Sequence, residues 1–284
     1  MRNGKIVTHD AIGFQDRAAK TSMKNDSIFR IASLTKLITA IAAMILAEEN
    51  KLDISAPVAK YLPEFKDVKV GIEGAAPKRP MTIQDLMRHT AGLTHGRYRD
   101  SPVNDLCKKA NLLDAKSLDE MVKTIAGLPL LHQPGEVWEY SDSTDVLDRV
   151  VEVASGMDLD RFVQARITGP LKMEDTGFWL KTQTKPAPKP AILSGGDGLF
   201  SSAGDYTCFC QMLLNGGELD GVRILWASEP SVLSRKWSPA SALASPFGWM
   251  RAAIPGQGPL ATSPGSAARE VISRTIQKRN LWRC

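Results

Sequence analysis

Cysteine is scarce in this chain. Four cysteines occur among 284 residues, namely Cys107, Cys208, Cys210 and Cys284. A disulfide-stapled fold of this length would need more of them. Cys208 and Cys210 also have no second pair at the spacing of a zinc site. Free thiols in a reducing compartment are therefore expected.

A long hydrophobic run is lacking as well. The longest apolar run, from Leu37 to Ala47, is too short to cross a bilayer, and no signal-peptide pattern opens the chain. We therefore predict no membrane association and, provisionally, a cytoplasmic location. The location is provisional because a start upstream of Met1 could supply an export signal.

Excess positive charge is absent from most of the chain. Residues 226–284 contain eight Lys or Arg and two Asp or Glu, a net charge of +6. The net charge of the whole chain is +5, so residues 1–225 have a net charge of −1. Nucleic-acid binding requires a basic patch on a folded face, so no nucleic-acid partner is predicted. The last 59 residues also contain 24 Ser, Ala or Pro and no Tyr. They have no sustained period of 2 or 3.6, so they form an atypical tail.

Several catalytic motifs are missing too. The chain has no G-x-S-x-G and no H-E-x-x-H, and SGGDGLF (194–200) lacks the G-K-[ST] ending of a phosphate loop. His89 and His95 have no third ligand at a suitable spacing, which favours structural or solvent-facing roles. We predict no metal and no cofactor.

Turn and cap signals give a coarse outline of the elements. Asn3-Gly4 predicts a hairpin turn with residues 4–10 as the strand that follows, although only two residues precede the turn. Asp220-Gly221 predicts a second hairpin, with Val222 to Leu225 as its second strand. Capping boxes are expected at Thr82–Asp85 and Ser117–Glu120.

Two further helices are predicted in the middle of the chain. One runs from about Ser143 to Gly156, and the next begins near Leu159 and ends at Gly169-Pro170. Residues 181–190 form a Pro/Lys connector.

A third helix is predicted over residues 33–49. Its apolar residues recur at helical spacing and its opposite face is rich in alanine, so it should be buried nearly all round. The apolar residues are Leu34, Leu37, Ile38, Ile41, Met44 and Ile45.

Ser33 and Lys36 form an S-x-x-K pair at the start of that helix. Three residues along a helix place both side chains on one face. The free N–H groups of the helix start favour an oxyanion, and partial burial would lower the pKa of Lys36 and favour its role as a base. About one such pair is expected by chance, so an N-cap serine and a snorkelling lysine remain the alternative.

Tyr140 is a further candidate. It follows Val137-Trp138-Glu139, a strand-like stretch, and precedes the polar residues Ser141 and Asp142. A tyrosine at a strand-to-helix junction can place its hydroxyl in a cleft. A half-buried tyrosine with a satisfied hydroxyl is the alternative.

Four segments in order resemble serine β-lactamase-related hydrolases, which include class C β-lactamases, DD-peptidases and family VIII carboxylesterases. The segments are IFRIASLTKLITAIAAMILAEENKLDISAPVAKYLPEF, DLMRHTAGL, PGEVWEYSDSTDVLDRVVEVASGMDLDRF with GPLKMEDTGFW, and SGGDGLFSSAGDYTCFCQMLLNGGELDGVRIL. Together they span roughly residues 3 to 225.

The resemblance implies an α/β fold of the α+β type, with an antiparallel sheet flanked by helices and an inserted helical domain. Residues 1–55 and 186–225 would form the α/β domain and residues 56–185 the helical domain, with the site in the cleft between them. Residues 226–284 would be an atypical tail.

The resemblance also implies roles for the candidate residues. Ser33 would be the acylated nucleophile and Lys36 its base, Tyr140 would match the tyrosine of the Y-x-N motif, and the Ser33 N–H would supply half an oxyanion hole. Asp142 stands where lactamases have Asn, which favours an esterase. It is a candidate substrate-binding residue, or a cap of the next helix.

The family's third motif, K-T-G or a variant, is not in its place. Lys181-Thr182-Gln183 lies too early and Phe247-Gly248-Trp249 is a weak fragment. This loss, a shorter start and the odd tail suggest truncation at the N-terminus and a frameshift after about Leu225. Reading the DNA in the other two frames after codon 225 tests the frameshift, which fails if neither frame encodes a family-like strand.

The predicted activity is hydrolysis of small carboxylic esters through an acyl-enzyme on Ser33. The alternatives are a β-lactamase or a D-Ala-D-Ala peptidase, or, in another class, an inactive truncated homologue or binding protein.

Overall fold

The computed structural model describes residues 6–97, 100–179 and 190–226. The α-helices in these residues are α1 (Thr35–Glu48), α2 (Ile83–Arg88), α3 (Pro102–Lys109), α4 (Leu118–Ala126), α5 (Ser143–Ser155), α6 (Leu159–Val163) and α7 (Ala203–Leu214), and a π-helical turn, Gln164–Thr168, continues α6 to Gly169. The strands are β1 (Phe14–Asp16), β2 (Thr21–Ser22), β3 (Ile28–Arg30), β4 (Phe200–Ser202), β5 (Glu218–Leu219) and β6 (Val222–Arg223). No helix within these residues is long and apolar enough to cross a membrane.

The strands pair in three antiparallel ladders, β1 with β2, β3 with β4, and β5 with β6. In the second ladder Ile28 lies opposite Ser202 and Arg30 lies opposite Phe200. Strands separated by about 170 residues in the chain therefore meet beside the start of α1. The predicted α/β class is confirmed, whereas the domain boundaries stay a prediction.

Helix α1 is the centre of the core. It packs against α5 and α6, and its residues from Thr35 to Ala43 are all buried. Alanine and leucine favour the helical backbone, and the bulky chains Leu37, Ile38 and Leu46 are almost completely excluded from water. Each such chain stabilises the fold by about 1.5–3 kcal/mol. The prediction of a helix buried nearly all round is confirmed.

Most predicted helix ends are confirmed. Thr82 and Asp85 form a reciprocal capping box at α2. At α4, Ser117 accepts the backbone N–H of Glu120, but the Glu120 carboxylate accepts from Lys116 instead of completing the box. Gly156 ends α5 in a left-handed conformation that glycine adopts without strain.

Two strand predictions are wrong. Residues 6–10 form no strand and are exposed, and no described strand pairs with them. Val137 to Glu139 also form no strand, although they lead directly to Tyr140 as expected. The Asp220-Gly221 turn is confirmed, since it joins β5 to β6.

Some predictions fall on residues that the structure does not describe. They are the Asn3-Gly4 turn, the connector up to residue 189, both fragments considered for the third motif, and the tail beyond residue 226. The truncation and frameshift hypothesis stays a prediction for the same reason.

Candidate active site

Ser33 sits on a tight turn between β3 and α1. The residue before it, Ala32, has a φ of 45°, a left-handed conformation that costs a non-glycine residue energy. The Thr35 hydroxyl donates to the Ala32 carbonyl at 2.6 Å and accepts the backbone N–H of Leu199 at 3.2 Å. The Ile31 N–H donates to the Leu199 carbonyl at 3.0 Å. The strained turn is thus fixed by the segment that leads into β4.

Ser33, Lys36 and Tyr140 come together around one oxygen atom. The Lys36 Nζ lies 3.3 Å from the Ser33 Oγ, a contact that the three-residue spacing across the start of α1 allows. The Tyr140 hydroxyl lies 2.6 Å from the same Oγ, although it is 107 residues away in the chain. The Lys36 ammonium also lies 4.8 Å from the centre of the Tyr140 ring. The three residues predicted from the sequence therefore form one cluster.

The structural alternatives for Ser33 and Lys36 do not fit this geometry. Leu34, not Ser33, occupies the N-cap of α1, and no side-chain hydroxyl caps that end. Lys36 does not snorkel to solvent, because its side chain is 6% exposed and its amine bonds to interior groups. Both side chains are therefore committed to the cluster.

A glycine-rich loop, residues 194–199, covers the polar face of α1. The Lys36 Nζ donates to the Gly196 carbonyl at 2.8 Å, and the Thr39 hydroxyl donates to the Gly195 carbonyl at 2.8 Å. A Cβ atom on either glycine would lie 2.6 Å from an atom of Asp145 or Asp148, too close for any other residue. The predicted tight turn thus serves to bring backbone carbonyls against α1.

Two buried carboxyl groups on α5 hold the other side of this loop. Asp145 Oδ1 accepts the Ser194 hydroxyl at 2.6 Å and the Gly196 N–H at 3.2 Å. Asp148 Oδ2 accepts the Gly195 N–H at 3.0 Å. Burial raises the pKa of both carboxyl groups, and that of Asp148 lies well above its usual range.

The expectation that burial lowers the pKa of Lys36 is wrong. Burial by itself acts in that direction, but the charge and hydrogen bond of Tyr140 and the charges of Asp197 and Asp145 outweigh it. The net result is a raised pKa, so Lys36 keeps its proton at neutral pH. Sequence spacing alone could not show these partners, because all three lie far from Lys36 along the chain.

Asp197 is a fourth member of the cluster that the sequence did not single out. Its Oδ1 accepts the Ser33 hydroxyl at 2.8 Å and lies 3.3 Å from the Lys36 Nζ. Its side chain is 49% exposed, whereas that of Lys36 is 6% exposed. A carboxylate therefore stands on the open side of Ser33. The only sequence signal was its position inside the glycine-rich turn.

His89 contacts Tyr140 and the residues on either side of it. Its backbone carbonyl accepts the Glu139 N–H at 2.9 Å, and its Nδ1 lies 3.4 Å from the Ser141 N–H. Its ring lies 4.8 Å from the Tyr140 ring. Burial, with the nearby charges of Lys36 and His95, lowers the pKa of His89 to about 3, so the imidazole is neutral. The residues before and after Tyr140, Glu139 and Ser141, thus both form hydrogen bonds to the buried His89.

Asp142 is turned away from Lys36. Its Oδ1 lies 2.7 Å from the His95 Nδ1, and both side chains are mostly buried. It occupies the N-cap of α5 without a capping side-chain hydrogen bond, so the capping interpretation is wrong. The His95 ring meets the edge of the Tyr140 ring at 5.3 Å. The substrate-binding role of Asp142 stays a prediction, and the His95 pairing was not foreseen.

The candidate site groups a hydroxyl, an amine and a phenol on the rim between two buried helices, which is the chemistry of acyl transfer. The family model described as "Beta-lactamase" matches residues 1–275 of this chain. The chain belongs to the beta-lactamase family. The matched range continues past Leu225, so the family model marks no boundary there.

Individual relatives agree with this family assignment. Protein Rv1367c of Mycobacterium tuberculosis (strain ATCC 25618 / H37Rv) is 33% identical over 251 residues, covering 78% of this chain and 62% of the relative. Esterase EstB of Burkholderia gladioli is 38% identical over 180 residues, covering 62% of this chain and 45% of the relative. The chain thus spans about half to three-fifths of the length of these curated relatives.

A solved structure shows the same fold. It is described as "EstCE1, a hydrolase with promiscuous acyltransferase activity", and it superposes with a TM-score of 0.72 at 25% identity. The superposition covers 91% of this chain and 79% of that chain. The β-lactamase-like fold expected from the sequence is therefore confirmed.

Proposed function

We propose that this chain is a serine hydrolase that cleaves small carboxylic esters through an acyl-enzyme on Ser33. The observation that carries the proposal is the convergence of Tyr140 and Lys36 on the Ser33 Oγ, at 2.6 and 3.3 Å. Nucleophilic catalysis by serine needs a partner within this range to move its proton. Among the relatives, EstB is named an esterase, which favours an ester as substrate.

The proposed acylation step requires the Ser33 hydroxyl to turn from Asp197 to the Tyr140 oxygen, which lies 2.6 Å from the Ser33 Oγ. The Ser33 Oγ attacks the ester carbonyl carbon and forms a bond to it. The hydroxyl proton passes to the Tyr140 oxygen while Tyr140 gives its own proton to the departing alkoxide, so the ester C–O bond breaks and an alcohol leaves. Water then repeats the sequence in reverse on the acyl-enzyme and releases the acid.

Lys36 acts in this scheme as a fixed positive charge. Because its pKa is raised, it is a poor proton acceptor at neutral pH but stabilises negative charge that develops on the Ser33 Oγ. We assign the Ser33 N–H, which precedes the N-cap of α1, as one oxyanion donor to the carbonyl oxygen. This assignment differs from the role of base that the resemblance implies.

A β-lactam or a D-Ala-D-Ala peptide is the alternative substrate within the family. Asp142 favours the ester, since its carboxylate is paired with His95 instead of presenting an amide to the substrate. A protein that binds without turnover is the alternative from another class.

The test compares the purified protein with Ser33→Ala. We expect hydrolysis of p-nitrophenyl butyrate by the first and only the background rate with the second, with a covalent butyryl adduct on Ser33 detected by mass spectrometry after rapid quenching. A chromogenic cephalosporin is assayed in parallel. Cephalosporin turnover without ester turnover would reassign the substrate, and no turnover of either by a folded protein would support the binding protein.

A further inference from the structure

Asp197 places a carboxylate where a substrate must approach. Its Oδ1 lies 2.8 Å from the Ser33 Oγ, and an ester carbonyl carbon must come within about 3–3.5 Å of the same atom before it reacts. The Asp197 side chain is about half exposed, so it faces the open side of the cluster. The acyl group of any substrate therefore passes close to this charge.

The positive charge of Lys36 does not cancel this effect at the mouth of the site. Lys36 is buried beneath Ser33, whereas Asp197 is exposed to the approaching molecule. An ammonium group has three donors, and those of Lys36 point to Ser33, Gly196 and Asp197. No donor of Lys36 is left to bind a carboxylate on a substrate.

The other charged groups near the cluster do not reverse this field. The carboxyl group of Asp145 interacts electrostatically with Lys36 and adds no positive charge. The Asp142 carboxylate is paired with His95. His89 is uncharged because its pKa is about 3. Of the two charged groups that bond to the Ser33 Oγ, Lys36 is buried and Asp197 is the exposed one.

We propose that Asp197 is a specificity-determining residue that disfavours substrates with a negatively charged acyl group and favours neutral or cationic esters. The inference rests on the proposed ester hydrolysis at Ser33. It also disfavours penicillins, cephalosporins and peptides ending in a free carboxylate, since each carries a negative charge close to the bond that is cleaved. Like charges at about 6–8 Å through a partly aqueous path change a rate by roughly tenfold.

The experiment uses three p-nitrophenyl esters that differ only in acyl charge: butyrate, hemisuccinate and 4-(trimethylammonio)butanoate. We expect the wild-type kcat/KM to be lower for the hemisuccinate than for the butyrate by about tenfold at low salt, and the difference to shrink at high salt. Asp197→Asn should bring the ratio of these two constants close to one. The ratio cancels any change in overall rate that the substitution causes.

The matched control is Asp220→Asn. Asp220 is exposed at the turn between β5 and β6, and its left-handed φ of 50° is tolerated by Asn. The Asp220→Asn substitution removes one negative charge from the turn between β5 and β6 instead of from Asp197. The ratio of kcat/KM for the hemisuccinate to that for the butyrate should therefore keep its wild-type value. If the protein hydrolyses the butyrate but Asp197→Asn leaves the hemisuccinate-to-butyrate ratio of kcat/KM unchanged, the inference is overturned. The proposed function would then still stand.

Boronic acids separate the two proposals if no ester is hydrolysed. They add to a serine oxygen without turnover, so the affinities of butylboronic acid and 3-carboxypropylboronic acid are measured by calorimetry. A preference for the neutral compound that disappears in Asp197→Asn would support the charge selection even though ester hydrolysis had failed. Equal affinities in the wild-type protein, or no binding of either compound, would overturn it.

Discussion

Helices α1 and α5 lie side by side in the core, yet they accommodate buried ionisable groups in opposite ways. Lys36 on α1 keeps its charge, because Tyr140, Asp197 and Asp145 more than offset the cost of burial. Among the described residues, the Asp148 carboxyl group on α5 accepts one hydrogen bond, from the Gly195 N–H, and burial raises its pKa well above the usual range. Its Oδ1 has no hydrogen-bond partner among the described residues. The comparison shows that partners, more than depth, decide whether a buried group stays ionised.

The same glycine-rich loop, residues 194–199, forms hydrogen bonds to both helices. Its carbonyl oxygens accept from Lys36 and Thr39 on α1, and its N–H groups donate to Asp145 and Asp148 on α5. Side chains of α1 therefore donate to the loop carbonyl groups, and carboxyl groups of α5 accept from the loop N–H groups. Changes on either helix should be transmitted to Ser33 through the loop, and three substitutions test this in order of expected effect.

Removing the charge on α1 should have the largest effect. We expect Lys36→Met to lower kcat/KM for p-nitrophenyl butyrate by about 10³, because positive charge beside Ser33 is lost and Asp197 is left unpaired. The rate is measured beside circular dichroism spectra that verify folding. A wild-type kcat/KM that rises steadily from pH 7 to pH 10 would contradict the fixed-charge role and return Lys36 to the role of base.

Removing the anchor on α5 should act on both stability and rate. Asp145→Ala leaves the Ser194 hydroxyl and the Gly196 N–H without their acceptor, and we expect a loss of about 2–4 kcal/mol in the free energy of unfolding. A fall in kcat/KM of roughly 10–100-fold should follow, since Gly196 no longer holds Lys36 in place. Urea unfolding and ester kinetics measure the two effects.

The control for this change is Asp119→Ala. Asp119 pairs with Lys123 and Arg149 at the surface, where ion pairs contribute little, so we expect less than about 1 kcal/mol and no change in rate. Equal stability losses in Asp145→Ala and Asp119→Ala would show that the loop does not depend on its buried anchor.

Asp148→Asn should have the smallest effect, because an amide resembles a carboxyl group that is already protonated. We expect a change of less than about 1 kcal/mol below about pH 4, where the Asp148 carboxyl group is protonated in the folded and the unfolded protein alike. The folded-state pKa is raised above the unfolded value, so the wild-type protein loses stability as pH rises from about 4 towards the folded pKa. Asn does not titrate, so the free energy of unfolding of Asp148→Asn, relative to that of the wild type, should increase as pH increases.

Urea unfolding of both proteins at pH 4.5, 6 and 8 measures this difference. A stability difference that stays constant over that range would mean that Asp148 has the same protonation in the folded and unfolded states. A difference with the opposite slope would mean that Asp148 is ionised in the core.

Local patterns in the sequence predicted the elements with strong periodicity or strong caps. The helix over 33–49, the Thr82–Asp85 capping box and the end of α5 at Gly156 are confirmed. The strand expected in residues 6–10 failed, because a strand depends on a partner that its own residues do not specify. Tyr140 was singled out by its place after a strand-like stretch that forms no strand, and the family resemblance gave it a role.

The sequence by itself determined that Ser33 and Lys36 lie one turn apart where a buried helix begins, since spacing along the chain is a local property. Only the tertiary structure decided the chemistry of that pair. It brought Tyr140, Gly196 and Asp197 to the Ser33–Lys36 pair from more than 100 residues away, and it turned Asp142 towards His95. The pKa of Lys36 is raised instead of lowered because electrostatic interactions depend on distance in space, which spacing along the chain does not give.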